Sequence, residues 1–92
     1  MNMKIVILGA GESGTGAAIL AKEKGFSVFV SDCGEISLPY QALLTQNHIN
    51  FESGHHTESL ILDADEVIKS PGIPETAPLI VKLREQGTPV IS

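Results

Sequence analysis

The stretch Lys-Ile-Val-Ile-Leu-Gly-Ala-Gly-Glu-Ser-Gly at positions 4–14 decides the fold of this chain. A short apolar run at 5–8 leads directly into the spacing G-x-G-x-x-G. In a strand–turn–helix unit of this kind, Gly9 permits a sharp turn, Gly11 leaves room for a phosphate beside the backbone, and Gly14 lets the helix lie close to its strand. The free N–H groups and the positive end of the helix dipole then face an anion. The pattern indicates a phosphate-binding loop, the alternative being a tight turn without a ligand.

Two side chains of the loop and two residues further on extend this candidate site. Ser13 offers a hydroxyl and an N–H at the start of the predicted helix, whereas Glu12 offers a useful N–H only. Asp32 closes the next apolar run, 23 residues after Gly9, close to the usual offset for an acid that accepts a ribose hydroxyl. The alternative for Asp32 is a solvated carboxylate or a local turn cap. Cys33 follows on the same ledge, without a predicted catalytic role.

Composition restricts the class of protein. The 92 residues are 42% hydrophobic and 18% charged, with a net charge of −5, which is typical of one small globular domain and argues against a general nucleic-acid surface. The single cysteine, Cys33, permits no intrachain disulfide and fits a reducing, cytoplasmic location. The apolar run at 5–8 is too short for a signal peptide or a membrane span. An anionic ligand would therefore be held by local N–H groups.

Alternating strand and helix patterns predict an α/β fold with a parallel sheet and right-handed crossovers. The simplest arrangement is a Rossmann-like, doubly wound, five-stranded sheet in the order 3-2-1-4-5. The predicted strands cover 4–8, 27–31, 49–52, 66–69 and 89–91, and the predicted helices cover 13–24, 39–47, 58–62 and 78–86. Thr57 is the expected cap of the third helix. The helix residues expected to face the sheet are Ala17, Ala18, Leu20, Ala21, Leu43, Leu44, Leu79, Ile80 and Leu83.

A second loop lies opposite the glycine loop in this topology. Ligands of doubly wound sheets bind beyond the carboxyl ends of the strands at the point where the strand order reverses, here between the first and fourth strands. Ser70-Pro71-Gly72 follows the fourth strand. The Ser70 hydroxyl and the Gly72 N–H are the predicted donors, and a strand-terminating turn is the alternative. Lys69 is a further candidate for contact with the phosphates.

Other polar residues have simpler interpretations. His55 and His56 are adjacent and have no further ligand at a suitable spacing, so a polar loop is favoured over a metal site. Asp63 and Asp65 are interpreted as a turn before the fourth strand. The chain contains neither G-x-x-x-x-G-K-[ST] nor G-x-S-x-G, and no paired acid and base. No catalytic residue and no metal ligand is predicted.

Together these motifs resemble the first domain of the Mur ligases. The resemblance is carried by Gly-Ala-Gly-Glu-Ser-Gly at 9–14, Val-Ser-Asp ending at Asp32 and Asp-Glu-Val-Ile-Lys-Ser-Pro-Gly-Ile-Pro at 65–74. Within that family, the chain most resembles the branch that adds D-glutamate to UDP-N-acetylmuramoyl-L-alanine in peptidoglycan precursor synthesis. The residues to which the resemblance assigns substrate contacts are Glu12, Ser13, Asp32, Cys33, Ser70, Pro71 and Gly72.

The resemblance also implies an organisation. It covers essentially all of residues 1–92, which would form the UDP-sugar-binding domain of a longer, three-domain ligase, cut off where the family continues into its central domain. That central domain would hold ATP and Mg²⁺, with no cofactor in the first domain. The third domain would supply D-glutamate. The fragment would bind part of the substrate without catalysing the reaction, and neither nucleic acid nor membrane is an expected partner.

Two other functions remain open from the sequence. Gly9–Gly14 with Asp32 also suits the NAD-binding domain of an oxidoreductase, and a non-catalytic nucleotide-sensing module is the third possibility. The segment Ser70–Pro74 distinguishes them, because the oxidoreductase interpretation leaves it unexplained.

Overall fold

The computed structural model describes residues 3–92, in which five strands alternate with four helices. The elements agree with the predicted ones to within one or two residues at each end. In chain order they are β1 (Lys4–Leu8), α1 (Glu12–Glu23), β2 (Ser27–Asp32), α2 (Leu38–Gln46), β3 (Asn50–Ser53), α3 (Glu58–Leu62), β4 (Glu66–Lys69), α4 (Pro78–Glu85) and β5 (Val90–Ile91).

The strands form one parallel sheet in the order β3-β2-β1-β4-β5, which confirms the predicted doubly wound topology. β1 lies in the centre, where Ile5 pairs with Val28 on one side and with Glu66 on the other. Since all strands run in the same direction, the loops after β1, β2 and β4 meet at one edge of the sheet. That edge holds the candidate site.

Two apolar cores cover the two faces of the sheet, because neighbouring strand residues point to opposite sides. Ile5 and Ile7 face α1 and α2, whereas Val6 and Leu8 face α3 and α4. The buried residues of the first core are Ile5, Ile7, Ala10, Ala18, Ala21, Val28, Val30, Ile36, Leu44 and Ile49. Those of the second are Val6, Leu8, Ile61, Ala64, Val67, Ile80, Leu83 and Val90.

Three of the side-chain expectations are wrong. Leu20 is 54% exposed, because the inward face of α1 is formed by the small residues at 18 and 21 and position 20 points away from it. Leu43 is 39% exposed, since its neighbour Leu44 occupies the core position. Thr57 precedes α3 as predicted but makes no side-chain cap. Its hydroxyl instead donates to Glu52 Oε1 at 2.6 Å.

Within residues 3–92, no helix has the length and apolar character needed to cross a bilayer.

Candidate functional site

A cleft of about 640 Å³ opens at the carboxyl edge of the sheet. The loop after β1 forms its floor, the end of β2 forms one wall, and the loop after β4 forms the opposite wall. Its lining residues are Ile7, Leu8, Gly9, Ala10, Gly11, Glu12, Ser13, Gly14, Ala17, Asp32, Cys33, His56, Ile68, Lys69, Ser70, Pro71, Ile73 and Ser92. The three loops nominated from the sequence therefore share one cavity.

Each of the three glycines in the loop after β1 occupies its position for a different structural reason. Gly9 adopts a φ of +101°, which L side chains rarely adopt, and a Cβ there would lie 2.9 Å from Ser70 Cβ. A Cβ at Gly14 would collide with the carbonyl oxygen of Gly9, so this glycine sets how closely α1 lies on β1. A Cβ at Gly11 would meet no protein atom within 4 Å. Gly11 therefore faces the open cleft, where a ligand can approach its backbone.

The first turn of α1 is available to an anion. Gly11 is the N-cap and has no side chain, and no side chain caps the helix. The first N–H groups of a helix have no partner within the helix and carry its positive partial charge. Glu12 and Ser13, which open α1, are both exposed and line the cleft. This end of α1 can donate hydrogen bonds to a phosphate or a carboxylate.

Asp32 joins the glycine loop to the end of β2. Its Oδ2 accepts a hydrogen bond from the Ala10 N–H at 2.9 Å, and its Oδ1 accepts one from the Gly34 N–H at 2.9 Å. The half-buried carboxylate thus orients the loop before any ligand arrives, and its remaining lone pairs can still accept from a hydroxyl. Cys33 is a free, exposed thiol beside it in the cleft.

The loop after β4 contributes two of its three predicted residues to the cleft. Ser70 and Pro71 line it, but Gly72 is not among the lining residues. The Gly72 N–H donates to Ser70 Oγ at 3.3 Å, within the loop itself. The Ser70 N–H donates to the Leu8 carbonyl at 2.8 Å, which attaches this loop to the end of β1.

Lys69 is directed into its own loop. Its buried ammonium donates to the Ile73 carbonyl at 2.9 Å and lies 3.5 Å from Glu75 Oε2. Glu75 in turn accepts from Arg84 Nε at 2.6 Å. The charge of Lys69 is therefore already engaged in holding the segment after β4, although the residue lines the cleft.

A polar network that the sequence analysis missed lies behind the cleft. Ser31 and Glu52 are paired in register on neighbouring strands, and Ser31 Oγ donates to Glu52 Oε2 at 2.7 Å. His56, which lines the cleft, places Nδ1 2.6 Å from the same Ser31 oxygen. Because side chains alternate along β2, Ser31 lies on the same face of the sheet as Leu8. The sequence feature that corresponds to this network is a hydroxyl and a carboxylate at paired positions of two adjacent strands. Recognising that pair requires knowledge of the register between β2 and β3.

The carboxylate of Glu52 is held in its ionised form. Burial raises the pKa of Glu52, but hydrogen bonds from the Thr57 hydroxyl, the Thr57 N–H and the Ser31 hydroxyl outweigh burial, and the net pKa lies below its ordinary value of 4.5. His55 Nε2, 3.1 Å from Oε1, adds a smaller stabilisation of the charge.

We expect Glu52→Gln to lower the free energy of unfolding by about 1–3 kcal/mol at pH 7, because the hydrogen bonds to a charged acceptor are lost. Since the pKa of Glu52 is lowered in the folded state, its contribution is present above pH 4.5 and is lost as the pH falls through the folded-state value. Urea unfolding of both proteins from pH 7 to pH 3 should therefore give curves that converge in acid.

The matched control for this prediction is Glu35→Gln, which changes an exposed carboxylate. It should leave stability unchanged within about 0.5 kcal/mol. Glu75, whose pKa is also lowered, by its hydrogen bonds with Arg84, remains in both variants. A constant difference between Glu52→Gln and the parent over the whole pH range would contradict the prediction.

Fold and cleft together define a doubly wound α/β domain with an open cleft at the carboxyl edge of its parallel sheet. Residues 3–92 match the family model described as the Mur ligase MurD-like, N-terminal domain. The chain belongs to this family, as the resemblance of its motifs predicted.

Relatives and solved structures agree with this assignment. The UDP-N-acetylmuramoylalanine--D-glutamate ligase of Bacteroides thetaiotaomicron is 70% identical over 89 residues, which are 97% of this chain and 20% of that protein. Among solved structures, a murein peptide ligase from Psychrobacter arcticus superposes with a TM-score of 0.86 at 25% identity, over 99% of this chain and 19% of that one. The UDP-N-acetylmuramate-alanine ligase of Thermotoga maritima gives 0.80 at 27% identity, over 98% and 20%. The chain spans about a fifth of the length of the relatives it matches.

Proposed function

We propose that this chain is the UDP-sugar-binding first domain of a ligase that adds D-glutamate to UDP-N-acetylmuramoyl-L-alanine. One observation carries the proposal: the glycine loop at 9–14 and the loop containing Ser70 and Pro71 face each other across a single cleft. That arrangement, in a chain of the MurD-like family, suits a ligand with phosphates at a helix end. The proposal covers residues 1–92 as one domain.

The diphosphate would lie against the first turn of α1. Hydrogen bonds to charged groups contribute roughly 1.5–3 kcal/mol each, so two or three amides could hold it without a basic surface. The carboxylate of Asp32 would accept a hydroxyl in addition to the two amides it already binds. The residues we propose for the substrate are Gly9, Gly11, Glu12, Ser13, Gly14, Asp32, Cys33, Ser70, Pro71 and Gly72. Gly72 would act by shaping its loop, since its N–H already donates to Ser70 Oγ.

We propose that the parent enzyme forms the new C–N bond in the cytoplasm, during synthesis of the peptidoglycan precursor. ATP would phosphorylate the substrate carboxylate to an acyl phosphate with release of ADP, and the amine of D-glutamate would displace the phosphate. The residues of this chain do not fit ATP and Mg²⁺. It has no G-x-x-x-x-G-K-[ST] loop, and residues 3–92 contain no group of three His, Cys, Asp or Glu placed to bind a metal. The role of the chain in that reaction would be to hold the substrate.

Calorimetric titration of the chain with UDP-N-acetylmuramoyl-L-alanine, UDP and NADH tests this function. We expect the UDP-sugar to bind and NADH to bind at least about tenfold more weakly, a difference of about 1.4 kcal/mol. The reason is that the loop after β4 forms part of the cleft, which a dinucleotide site does not require. Preferential binding of NADH would instead favour the NAD-binding domain of an oxidoreductase, to which Gly9–Gly14 and Asp32 are equally suited. Binding of UDP alone, without the sugar-peptide, would favour a nucleotide-sensing module.

A further inference from the structure

The cleft contains one imidazole whose two nitrogens have different surroundings. His56 is half-buried and lines the cleft. Its Nδ1 lies 2.6 Å from Ser31 Oγ, and Ser31 is fully buried in the centre of the sheet. Among residues 3–92, no hydrogen bond to the Nε2 atom is present. His56 is therefore held from behind through Nδ1, with Nε2 left for a ligand.

The network sets which nitrogen carries the proton. An ionised carboxylate only accepts hydrogen bonds, so the single hydroxyl proton of Ser31 is directed to Glu52, 2.7 Å away. The His55 carbonyl, 3.4 Å from Ser31 Oγ, is also an acceptor and supplies no proton. Nδ1 of His56 must then be the donor to Ser31. A neutral His56 ring consequently has a bare Nε2, and a second proton can be added only at Nε2.

A positive charge at His56 would give the cleft a cation that is not already paired within the protein. Its lining contains two basic residues, Lys69 and His56. The Lys69 ammonium is already bound to the Ile73 carbonyl and close to Glu75. His56 is thus the remaining lining side chain that can present a cation to an anionic ligand. The half-buried, ionised Glu52 is joined to His56 through Ser31.

The other charged or titratable groups around His56 come from each neighbouring element. Glu12 opens α1, Asp32 ends β2 with Cys33 directly after it, and Lys69 ends β4, all lining the same cleft. His55 is adjacent in sequence and pairs with Glu52. On the α3 side, Glu58 is paired with Lys82 at 2.7 Å. Of these groups, His55, Lys69 and Glu58 already have charged partners of their own.

We propose that Nε2 of His56 donates a hydrogen bond to a diphosphate oxygen of the bound nucleotide, and that binding takes up one proton at this atom. This inference rests on the proposed function, since it names a further contact in the same cleft. Histidine is the side chain whose charge ordinarily changes between pH 5 and pH 8. Binding of the UDP-sugar is therefore tighter at the acidic end of that range.

Calorimetric titration with UDP-N-acetylmuramoyl-L-alanine from pH 5.5 to pH 8.0 tests the proposal. The diphosphate of this ligand is esterified at both ends, so its charge stays constant over the range. We expect the dissociation constant of the parent chain to rise about tenfold from pH 5.5 to pH 8.0, the effect of losing one hydrogen bond to a charged group. Buffers of different ionisation enthalpy should reveal proton uptake at intermediate pH.

Two variants identify the titrating group. His56→Gln keeps a polar side chain that cannot gain a charge, and it should bind with nearly the same affinity at both pH values. His55→Gln, which changes the exposed neighbouring imidazole, should keep the pH dependence of the parent. In nitrogen-15 NMR spectra of the histidine rings, the His56 ring should carry its proton on Nδ1 in the free chain at pH 8.0 and on both nitrogens in the complex at pH 5.5.

The outcomes separate this inference from the function on which it rests. If the parent binds the UDP-sugar but shows no pH dependence, or if His56→Gln keeps it, the role of His56 is wrong and the proposed function stands. If the parent chain does not bind the UDP-sugar at any pH, both fail.

Discussion

We expect Gly11→Val to leave the fold intact and to weaken the binding of UDP-N-acetylmuramoyl-L-alanine by about 100-fold. The φ of Gly11 is −77°, which valine adopts readily, and a Cβ at this position meets no protein atom within 4 Å. The valine side chain would instead fill the space in which we propose that the diphosphate approaches the first turn of α1. Loss of two amide contacts of about 1.5 kcal/mol each corresponds to that factor. Calorimetric titration measures it.

The structural cost of this substitution is small. Valine is a poorer N-cap than glycine, by about 1 kcal/mol, so circular dichroism and urea unfolding should show a folded, slightly less stable chain. Gly11→Ala has a smaller side chain and should give an intermediate loss of affinity. A folded Gly11→Val variant that binds the UDP-sugar as the parent does would exclude the glycine loop as the diphosphate site.

The second large effect is expected in stability. A methyl group at Gly14 would overlap the carbonyl oxygen of Gly9, which is backbone and cannot move aside without displacing α1 from β1. Gly14→Ala should therefore lower the free energy of unfolding by about 3 kcal/mol, the upper part of the range for overpacking. For a domain of this size, that loss lowers the melting temperature by at least about 12 °C. Thermal unfolding followed by circular dichroism gives the value.

Gly16→Ala is the matched control, because it makes the same chemical change two residues further along α1. Gly16 is exposed, and a Cβ there meets no other atom within 4 Å. Alanine in a helix interior is favoured over glycine by about 0.5–1 kcal/mol, so this variant should be more stable than the parent. Equal melting temperatures for the two variants would contradict the steric role of Gly14.

The fold was predictable because each of its local signals is explicit in the sequence. The β-branched run before Gly9 marks the first strand, and the glycine at position 25 marks the end of the first helix. Pro78 is the first residue of α4, as its preference for the first turn of a helix predicts. Strand order follows from the handedness of the crossovers. The side chains that were wrong, Leu20 and Leu43, are apolar residues on helices whose inward positions are taken by neighbours. Residue type alone does not distinguish a core leucine from an exposed one.

The candidate site was predictable to the level of its loops, but not of its hydrogen bonds. The topology placed Gly9–Gly14 and Ser70 at one edge, and the cleft includes both. Whether a polar group already has a hydrogen-bond partner in the protein depends on differences in distance of a few tenths of an ångström. The Asp32 carboxylate binds two amides of its own chain, and the interpretation of His56 as part of an ordinary polar loop missed its contact with Ser31. Neither contact leaves a periodic signal.

The bonds among the three loops have a consequence for the energetics of binding. The Gly9 N–H donates to the Ser31 carbonyl, the Ser70 N–H to Leu8, and Asp32 holds Ala10, all without a ligand. A cavity assembled in this way is preorganised: its walls lose little further freedom when occupied, and less of the contact energy is offset by ordering. Free and occupied states should accordingly give the same amide hydrogen-exchange protection for Gly9 and Ser70, with any slowing confined to the first turn of α1.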